Sequence, residues 1–370
     1  MSGNFDAVVM GAGVFGAWTA LRLRRSGRNV ALIDIYGAGN SRSSSGGETR
    51  ILRAGYGADE IYTRWAMRAR ELWLEFFDQI GRPELFQNTG VLWTPPPGDA
   101  RAEAIRAAFE KCRVEFQHLS PGELSRSFPQ FCFRDEREGL YEMQAGVILA
   151  RRAVQAVVAQ AIREGVAYSE DGSSFASARD QAGIIVYACG PWLPKIFPEI
   201  LGRRIRPTRQ EIFFFGTPAG DSSFAPPRMP AWTDITDEHS AYTLPNIENR
   251  GLKLAFDRHG PEFDPDTGDR VAKGLPEARA FLAERFPSLA GAPLVESRVC
   301  QYENTSNGDF LIDRHPDRDN VWLVGGGSGH GFKHGPAVGE HVCALIDSRV
   351  AAEPRFSLQT KARTPQRSVF

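Results

Sequence analysis

The stretch that decides the fold is Gly11-Ala-Gly-Val-Phe-Gly16, a Gly-x-Gly-x-x-Gly motif. The apolar residues 5–10 before it predict a buried strand, and the pattern after it predicts a helix over 14–25 that Gly27 stops. Residues 29–34 predict a second buried strand. Strand, glycine turn, helix and strand in this order predict a βαβ unit with parallel strands.

The three glycines of this motif meet the needs of a bound dinucleotide. Gly11 permits the tight turn, Gly13 lets a pyrophosphate approach the backbone, and Gly16 allows helix and strand to pack closely. The helix N-terminus offers free amides and a partial positive charge to the phosphates, and Asp34 is placed to accept hydrogen bonds from a ribose diol. We therefore predict that an ADP moiety binds here, of either FAD or NAD. The cofactor-binding residues expected in this unit are Gly11, Gly13, Val14, Phe15, Gly16 and Asp34.

The rest of the chain mixes helices with strands of two kinds. A long amphipathic helix is predicted over 60–80, and its apolar face favours a role in the core. Other strands are predicted at 90–94, 184–188, 212–215, 252–256 and 320–324, of which 212–215 and 252–256 have the pattern of an antiparallel sheet. The last strand leads into a second glycine-rich turn and a helix beginning near Pro336.

Bulk properties exclude several classes of protein. A chain of 370 residues is long enough for two domains, and its net charge of −1 argues against nucleic acid or an anionic membrane as partner. No apolar run is long enough to span a membrane. The N-terminus lacks the blocks of a signal peptide and the chain ends Ser-Val-Phe, so we expect a cytoplasmic protein that begins at Met1. The five cysteines lack a Cys-x-x-Cys pair, which argues against a disulfide framework and a metal site.

Five motifs follow one another in an order that resembles a known family. They are Gly11–Gly16, Gly46–Arg53, Gly251–Lys253, Cys300–Tyr302 and Ser328–Lys333. Together they resemble the monomeric sarcosine oxidase family, which includes N-methyltryptophan oxidase and pipecolate oxidase and belongs to the D-amino-acid-oxidase class. The resemblance implies a flavoprotein that uses FAD. It also implies oxidation of a carboxylate-bearing amino acid, secondary, N-methyl or cyclic, to an imine, with O2 reduced to H2O2.

The resemblance also implies roles around the flavin ring. Cys300 matches the cysteine that carries the flavin through a thioether, so we expect FAD to be covalent through Cys300. Lys253 matches the lysine that promotes reaction of reduced flavin with oxygen, and Arg50 matches an arginine near the ring. Other residues expected to line the cofactor site are Ser43, Thr49, Arg50, Cys189, Gly190, Trp192, Gly327, Ser328, Gly329, His330, Gly331, Phe332 and Lys333.

The substrate site implied by the resemblance contains two cations and two tyrosines. Arg53 and Lys333 match the residues that hold the substrate carboxylate, and Tyr242 and Tyr302 match tyrosines that border the cavity. The chemistry agrees, because arginine binds a carboxylate bidentately and lysine adds a point charge.

Plainer interpretations of these residues stay open on the sequence alone. Cys300 is also typical of an ordinary buried thiol, and Lys253 of a solvated lysine on a strand. Arg50 and Arg53 are spaced to share a helix face or to cap a helix end. His330 lies between glycines, which favours a structural role over acid–base catalysis.

Two positions depart from the family pattern. Sarcosine oxidases have histidine where this chain has Gly46 and Asp257. Glycine would enlarge the active-site cavity, and an aspartate there would pair with a cation on the substrate. We therefore predict that sarcosine is not the natural substrate, and that a larger amino acid with a basic or cyclic side chain fits better.

The fold class that follows is α/β. We expect a Rossmann-like FAD-binding domain formed by 1–82, 145–211 and 295–360, interleaved with an α+β substrate domain formed by 83–144 and 212–294 around an antiparallel sheet. The polar, basic end of the chain from about Glu353 predicts a tail, with 361–370 outside both domains. We expect a monomer or weak homo-oligomer whose partners are an amino acid and O2. The alternatives are a flavin dehydrogenase with another electron acceptor, an NAD-dependent dehydrogenase, and a non-catalytic flavin- or NAD-binding module.

Overall fold

The computed structural model describes residues 4–133, 137–173, 176–235 and 240–364. The strands in these ranges are β1 (Ala7–Met10), β2 (Val30–Ile33), β3 (Arg50–Leu52), β4 (Phe86–Gln87), β5 (Val91–Trp93), β6 (Phe116–Leu119), β7 (Gly139–Glu142), β8 (Gly146–Ile148), β9 (Ala167–Ser169), β10 (Ile184–Tyr187), β11 (Ile205–Phe215), β12 (Ala231–Ile235), β13 (Ser240–Leu244), β14 (Leu252–Phe256), β15 (Leu294–Thr305), β16 (Leu311–His315) and β17 (Arg318–Gly325). The helices are α1 (Val14–Arg25), α2 (Glu60–Gln79), α3 (Ala100–Cys112), α4 (Pro121–Ser127), α5 (Ala150–Arg163), α6 (Ala176–Gln181), α7 (Leu193–Ile196), α8 (Pro198–Leu201), α9 (Leu275–Arg285) and α10 (Gly335–Ile346).

A six-stranded sheet contains the predicted βαβ unit. Its strand order is β16-β17-β10-β1-β2-β9, and every neighbouring pair is parallel except β16 with β17. Helix α1 packs against α10 and α5, and Trp18 on α1 makes edge contacts with Trp73 and Phe76 of α2. The parallel sheet predicted from the sequence is confirmed, and the carboxyl ends of β1, β2 and β10 therefore meet at one edge.

An eight-stranded sheet contains the predicted antiparallel strands. Its order is β15-β11-β14-β13-β12-β5-β7-β6, in which only β12 and β5 run parallel. The long strand β11 pairs with β14 on one side and with β15 on the other, so it separates Lys253 from Cys300. A third sheet, β3-β8-β4, holds Arg50 at the start of β3. The Rossmann-like α/β class is confirmed. The division into two domains stays a prediction, and strand β11 runs across its expected boundary after residue 211.

Two local expectations are wrong. Arg50 and Arg53 share no helix face and cap no helix, because β3 pairs with β8 and fixes this segment as extended backbone. The end of the chain from Glu353 is also no free tail in its described part. Two 3₁₀ turns pack there, Phe356 is fully buried, and Lys361 Nζ donates to the Arg355 carbonyl oxygen at 2.6 Å. Residues 365–370 of the expected tail lie outside the described residues.

Candidate cofactor and substrate site

The turn after β1 has the backbone that the three glycines were expected to permit. Gly11 has a φ of +98°, and a Cβ there would overlap the Ala188 carbonyl oxygen. A Cβ at Gly16 would overlap the carbonyl oxygen of Gly11 itself. Helix α1 begins directly after Gly13, which has no side chain, and Ser45 Oγ accepts from the Val14 amide at 3.0 Å. Gly13, Val14 and Ser45 all line the large cavity described below, so the positive end of the helix dipole faces a space that suits a phosphate group.

Asp34 lies beside this turn, where β2 ends. Its Oδ2 accepts from the Ala12 amide at 2.7 Å and its Oδ1 from the Tyr36 amide at 3.0 Å. Burial raises the pKa of Asp34, and these backbone hydrogen bonds act in the opposite direction. The two amides orient the carboxylate, whose remaining lone pairs are free to accept from a ribose diol.

A cavity of about 310 Å³ extends from this turn to the second glycine-rich turn. Most residues expected to bind the cofactor line it, namely Gly11, Gly13, Val14, Phe15, Asp34, Ser43, Arg50, Cys189, Gly190, Trp192, Gly327, Ser328, Gly329, Gly331 and Phe332. Gly16 lies behind the turn, where it allows α1 to pack against β1. Thr49 is also absent from the lining, because its carbonyl oxygen accepts from Lys253 Nζ at 2.8 Å. Cys300, His330 and Lys333 line a smaller cavity, to which Arg50, Gly329 and Phe332 also contribute.

The polar atoms of the large cavity fit a ligand rich in phosphate and hydroxyl groups. The Oγ atoms of Ser43 and Ser44, Oε1 of Gln301 and Oε2 of Glu303 are buried, and none has a hydrogen-bond partner among the described residues. Unpaired buried polar atoms are costly, so a bound partner would stabilise them. FAD carries a pyrophosphate and several hydroxyls, and the residues present therefore fit it.

Glu303 is a cavity residue that the sequence analysis missed. Its Oε1 accepts from the Gly327 amide at 3.1 Å, and its carboxyl group is close to Gly190 and Gly325. Burial raises the pKa of Glu303 to about 7. A charged residue within an otherwise uncharged buried stretch of β15 was the available signal.

Arg50 and Cys300 meet although one lies on β3 and the other on β15. Arg50 Nη2 lies 3.3 Å from Cys300 Sγ, and Cys300 is half-buried at the wall of the smaller cavity. The Cys300 thiol therefore lies at a cavity wall beside a cation, where a ligand can reach it.

Lys253 on β14 is buried, with 1% of its surface exposed, so the solvated alternative is wrong. Its Nζ lies 5.6 Å from the centre of the Tyr242 ring as well as donating to Thr49. Burial, together with the charge of Arg50, holds the pKa of Lys253 well below its usual range. The group is therefore placed to act as a local cation or proton donor whose charge depends on what binds beside it.

Arg53 and Lys333 converge on Tyr56, which the sequence analysis missed. The Arg53 guanidinium lies 4.8 Å from the centre of the Tyr56 ring, and Lys333 Nζ donates to the Tyr56 hydroxyl at 2.7 Å. Burial, together with the charge of Arg53, holds the pKa of Lys333 well below its usual range. Arg53 and Lys333 thus place two buried basic side chains in the wall of one cavity. His330 has a structural position, with Nδ1 at 3.2 Å from the Tyr56 hydroxyl.

These residues surround the smaller cavity, of about 70 Å³, which is the candidate substrate cavity. Of the seven residues expected to act on the substrate or the flavin, six line this cavity, namely Arg50, Arg53, Tyr242, Asp257, Tyr302 and Lys333. The seventh, Lys253, does not. Three more polar residues in this lining were not predicted from the sequence, namely Gln210, Glu211 and Thr233. The Tyr302 hydroxyl donates to Asp257 Oδ1 at 3.0 Å.

Gly46 does not enlarge this cavity, so that expectation is wrong. It lies in a tight loop in which its amide donates to the Ser43 carbonyl oxygen at 3.0 Å, and a Cβ would overlap the Asn40 carbonyl oxygen. Gly46 lines a separate small cavity near Lys253. The prediction that sarcosine is not the preferred substrate therefore depends on Asp257 alone.

The large cavity fits a dinucleotide and shares Arg50, Tyr302 and Phe332 with the smaller one, an arrangement that suits a flavin-dependent oxidoreductase. A model of the family "FAD dependent oxidoreductase" matches residues 6–345. The monomeric sarcosine oxidase of Bacillus sp. (strain B-0618) is 30% identical over 369 residues, which cover 93% of each chain. The peroxisomal sarcosine oxidase of Homo sapiens is 30% identical over 381 residues, covering 96% of this chain and 94% of the human one.

The fold is also similar to that of solved structures. The L-proline dehydrogenase of P. horikoshii superposes with a TM-score of 0.81 at 20% identity, over 97% of this chain and 98% of that one. The chain belongs to the FAD dependent oxidoreductase family and is an enzyme of that family. The resemblance to monomeric sarcosine oxidases that the motifs indicated is thereby confirmed.

Within the described ranges, no helix combines the length and apolar character needed to cross a membrane. In the same ranges, no group of three or more His, Cys, Asp or Glu side chains is arranged to hold a metal ion.

Proposed function

We propose that this enzyme is an amino-acid oxidase that converts the C–N bond of a carboxylate-bearing amino acid to an imine and reduces O2 to H2O2. The observation that carries the proposal is the pair of buried cations, Arg53 and Lys333, in the wall of the cavity that Arg50 and Cys300 also line. The relatives named above are sarcosine oxidases, which supports a secondary, N-methyl or cyclic amino acid as substrate.

The chain's own residues have three tasks in this reaction. FAD, when bound, supplies the two-electron acceptor that the oxidation of an amine requires. Arg53 and Lys333 bind the carboxylate and so fix the position of the C–N bond. Lys253 is buried on the far side of β11 from Cys300, where its charge stabilises negative charge that develops on oxygen.

Peroxide release by the aerobic holoenzyme tests the reaction, with a panel of primary, N-methyl and cyclic amino acids. We expect stoichiometric H2O2 with the preferred substrate and a kcat/KM for sarcosine below the highest in the panel. Oxidation that requires an artificial electron acceptor and yields no peroxide would identify a dehydrogenase instead. A protein that no amino acid reduces under anaerobic conditions would overturn the proposal.

We further propose that FAD is covalently attached through Cys300, supported by the contact of Arg50 with its Sγ. The yellow colour is expected to remain with wild-type protein after acid precipitation and to be released from Cys300→Ser. Cys132→Ser is the matched control, because Cys132 is an exposed free cysteine. Release of all flavin from the wild-type protein would contradict the attachment. We also propose the two-domain division, a monomer or weak homo-oligomer, and a cytoplasmic location, as predicted from the sequence.

A further inference from the structure

The substrate cavity contains two carboxylates that differ in how they are bound. Glu211 is fully engaged, because it pairs with Arg209 at 2.7 Å and accepts from the amides of Lys273 at 3.0 Å and Gly274 at 2.6 Å. Asp257 receives one hydrogen bond, from Tyr302, and forms no ion pair within the part of the chain that the structure describes. Asp257 is thus the cavity carboxylate that is available to a ligand.

The surroundings of Asp257 are strongly cationic and suit a zwitterion. Arg50, Arg53 and Lys333 line the same cavity, and Asp257 is close enough to Lys333 for its charge to act on the lysine. A ligand with only a carboxylate would neutralise the cations but place a second negative charge near Asp257. A ligand that carries a cation next to its carboxylate offers a charge of the right sign to both kinds of group in this cavity.

We propose that Asp257 is the subsite for the positively charged nitrogen of the substrate, and that it selects α-amino acids over carboxylic acids without a nitrogen cation. This rests on the proposed function, in which Arg53 and Lys333 bind the carboxylate. The cation assigned to Asp257 is the α-nitrogen itself, because Asp257 and the two anchors share a cavity of only about 70 Å³. Sarcosine also carries this cation, so its rank in the substrate panel tests the departure from the family pattern and not this subsite. Tyr302 keeps the carboxylate turned toward the cavity through its hydrogen bond to Oδ1.

An isosteric pair of ligands tests this without turnover. Trimethylglycine and 3,3-dimethylbutanoate have the same shape and carboxylate, and differ by a quaternary nitrogen in place of a quaternary carbon. Neither forms an imine, because the first lacks a nitrogen lone pair and the second lacks nitrogen. Their dissociation constants are measured on the holoenzyme from the perturbation of the flavin absorbance.

Wild-type enzyme is expected to bind trimethylglycine at least about tenfold more tightly than its neutral isostere, the range of a partly buried ion pair. Asp257→Asn is expected to bring this ratio near one. Glu211→Gln is the matched control, and its ratio of the two dissociation constants is expected to equal that of wild type because Glu211 is already paired. Lys333→Met is expected to weaken the binding of both ligands and to keep the preference for trimethylglycine.

Equal binding of the two ligands by wild-type enzyme would overturn this proposal and leave the carboxylate site intact. A tenfold preference that survives in Asp257→Asn would also overturn it. Binding of neither ligand would overturn it together with the proposed carboxylate anchors. Equal binding by wild-type enzyme overturns the proposal even if Asp257→Asn fails to fold.

Discussion

Replacing Glu303 by glutamine is expected to stabilise the protein, and to do so more at pH 8 than at pH 6. The Glu303 side chain is 7% exposed, and its Oε2 lacks a hydrogen-bond partner among the described residues. Burial raises the pKa of Glu303 from its ordinary 4.5 to about 7. Because the folded-state pKa lies above the unfolded one, the stability linked to this proton is complete below about pH 4.5 and is lost as pH rises through about 7.

The size of the effect follows from the two pKa values. The difference between 4.5 and about 7, at roughly 1.36 kcal/mol per pKa unit, corresponds to about 3 kcal/mol when the loss is complete. Linkage places a loss of about 2 kcal/mol at pH 6 and about 3 kcal/mol at pH 8. Glutamine does not ionise, so the stability difference between Glu303→Gln and wild type should widen by roughly 1 kcal/mol between these pH values.

Urea unfolding at pH 6 and pH 8, followed by tryptophan fluorescence at matched flavin content, measures this difference. Glu110→Gln, on the exposed face of α3, is the control and should show no comparable widening. A difference between Glu303→Gln and wild type that is the same at both pH values would show that the carboxyl does not titrate in this range. A stability difference that becomes smaller toward pH 8 would show that folding lowers the pKa of Glu303 instead of raising it.

Three further variants test other parts of the site. Lys253→Met is expected to slow the reaction of reduced enzyme with O2 by at least about 100-fold, while anaerobic reduction by substrate, measured by stopped flow, changes by less than about tenfold; equal losses would contradict its assignment to the oxygen reaction. Lys333→Met is expected to raise KM by about 10- to 100-fold in steady-state assays, and a change in kcat alone would argue against a carboxylate anchor. Gly16→Ala places a Cβ on the Gly11 carbonyl oxygen and should lower both the FAD content and the unfolding temperature, whereas Gly183→Ala, where a Cβ has space, should change neither.

The sequence predicted the elements whose signals are local. Helix α1 begins at Val14 and ends at Arg25 as predicted, because a glycine turn precedes it and Gly27 follows it with a φ of +94°. The strands on either side were found within two residues, since apolar runs of this length are typical of buried parallel strands.

Expectations failed where a distant segment decides the conformation. β3 has only three residues, which is too short to show strand alternation, and its extended form comes from pairing with β8. The segment after Glu353 is polar on average, yet Phe356 packs into the core and Arg355 pairs with Asp309 at 2.6 Å. Composition alone does not show such contacts.

By itself, the sequence predicted the glycine turn after β1, the family and most of the functional residues that line the two cavities, because those signals are spacings within short motifs. Only the tertiary structure showed that Asp257 has no ionic partner among the described residues, that Tyr56 joins Arg53 to Lys333, and that Glu303 is buried in the cofactor cavity. Burial and charge environment depend on residues that are far apart in the chain, and these set the pKa values and the ligand preference of the site.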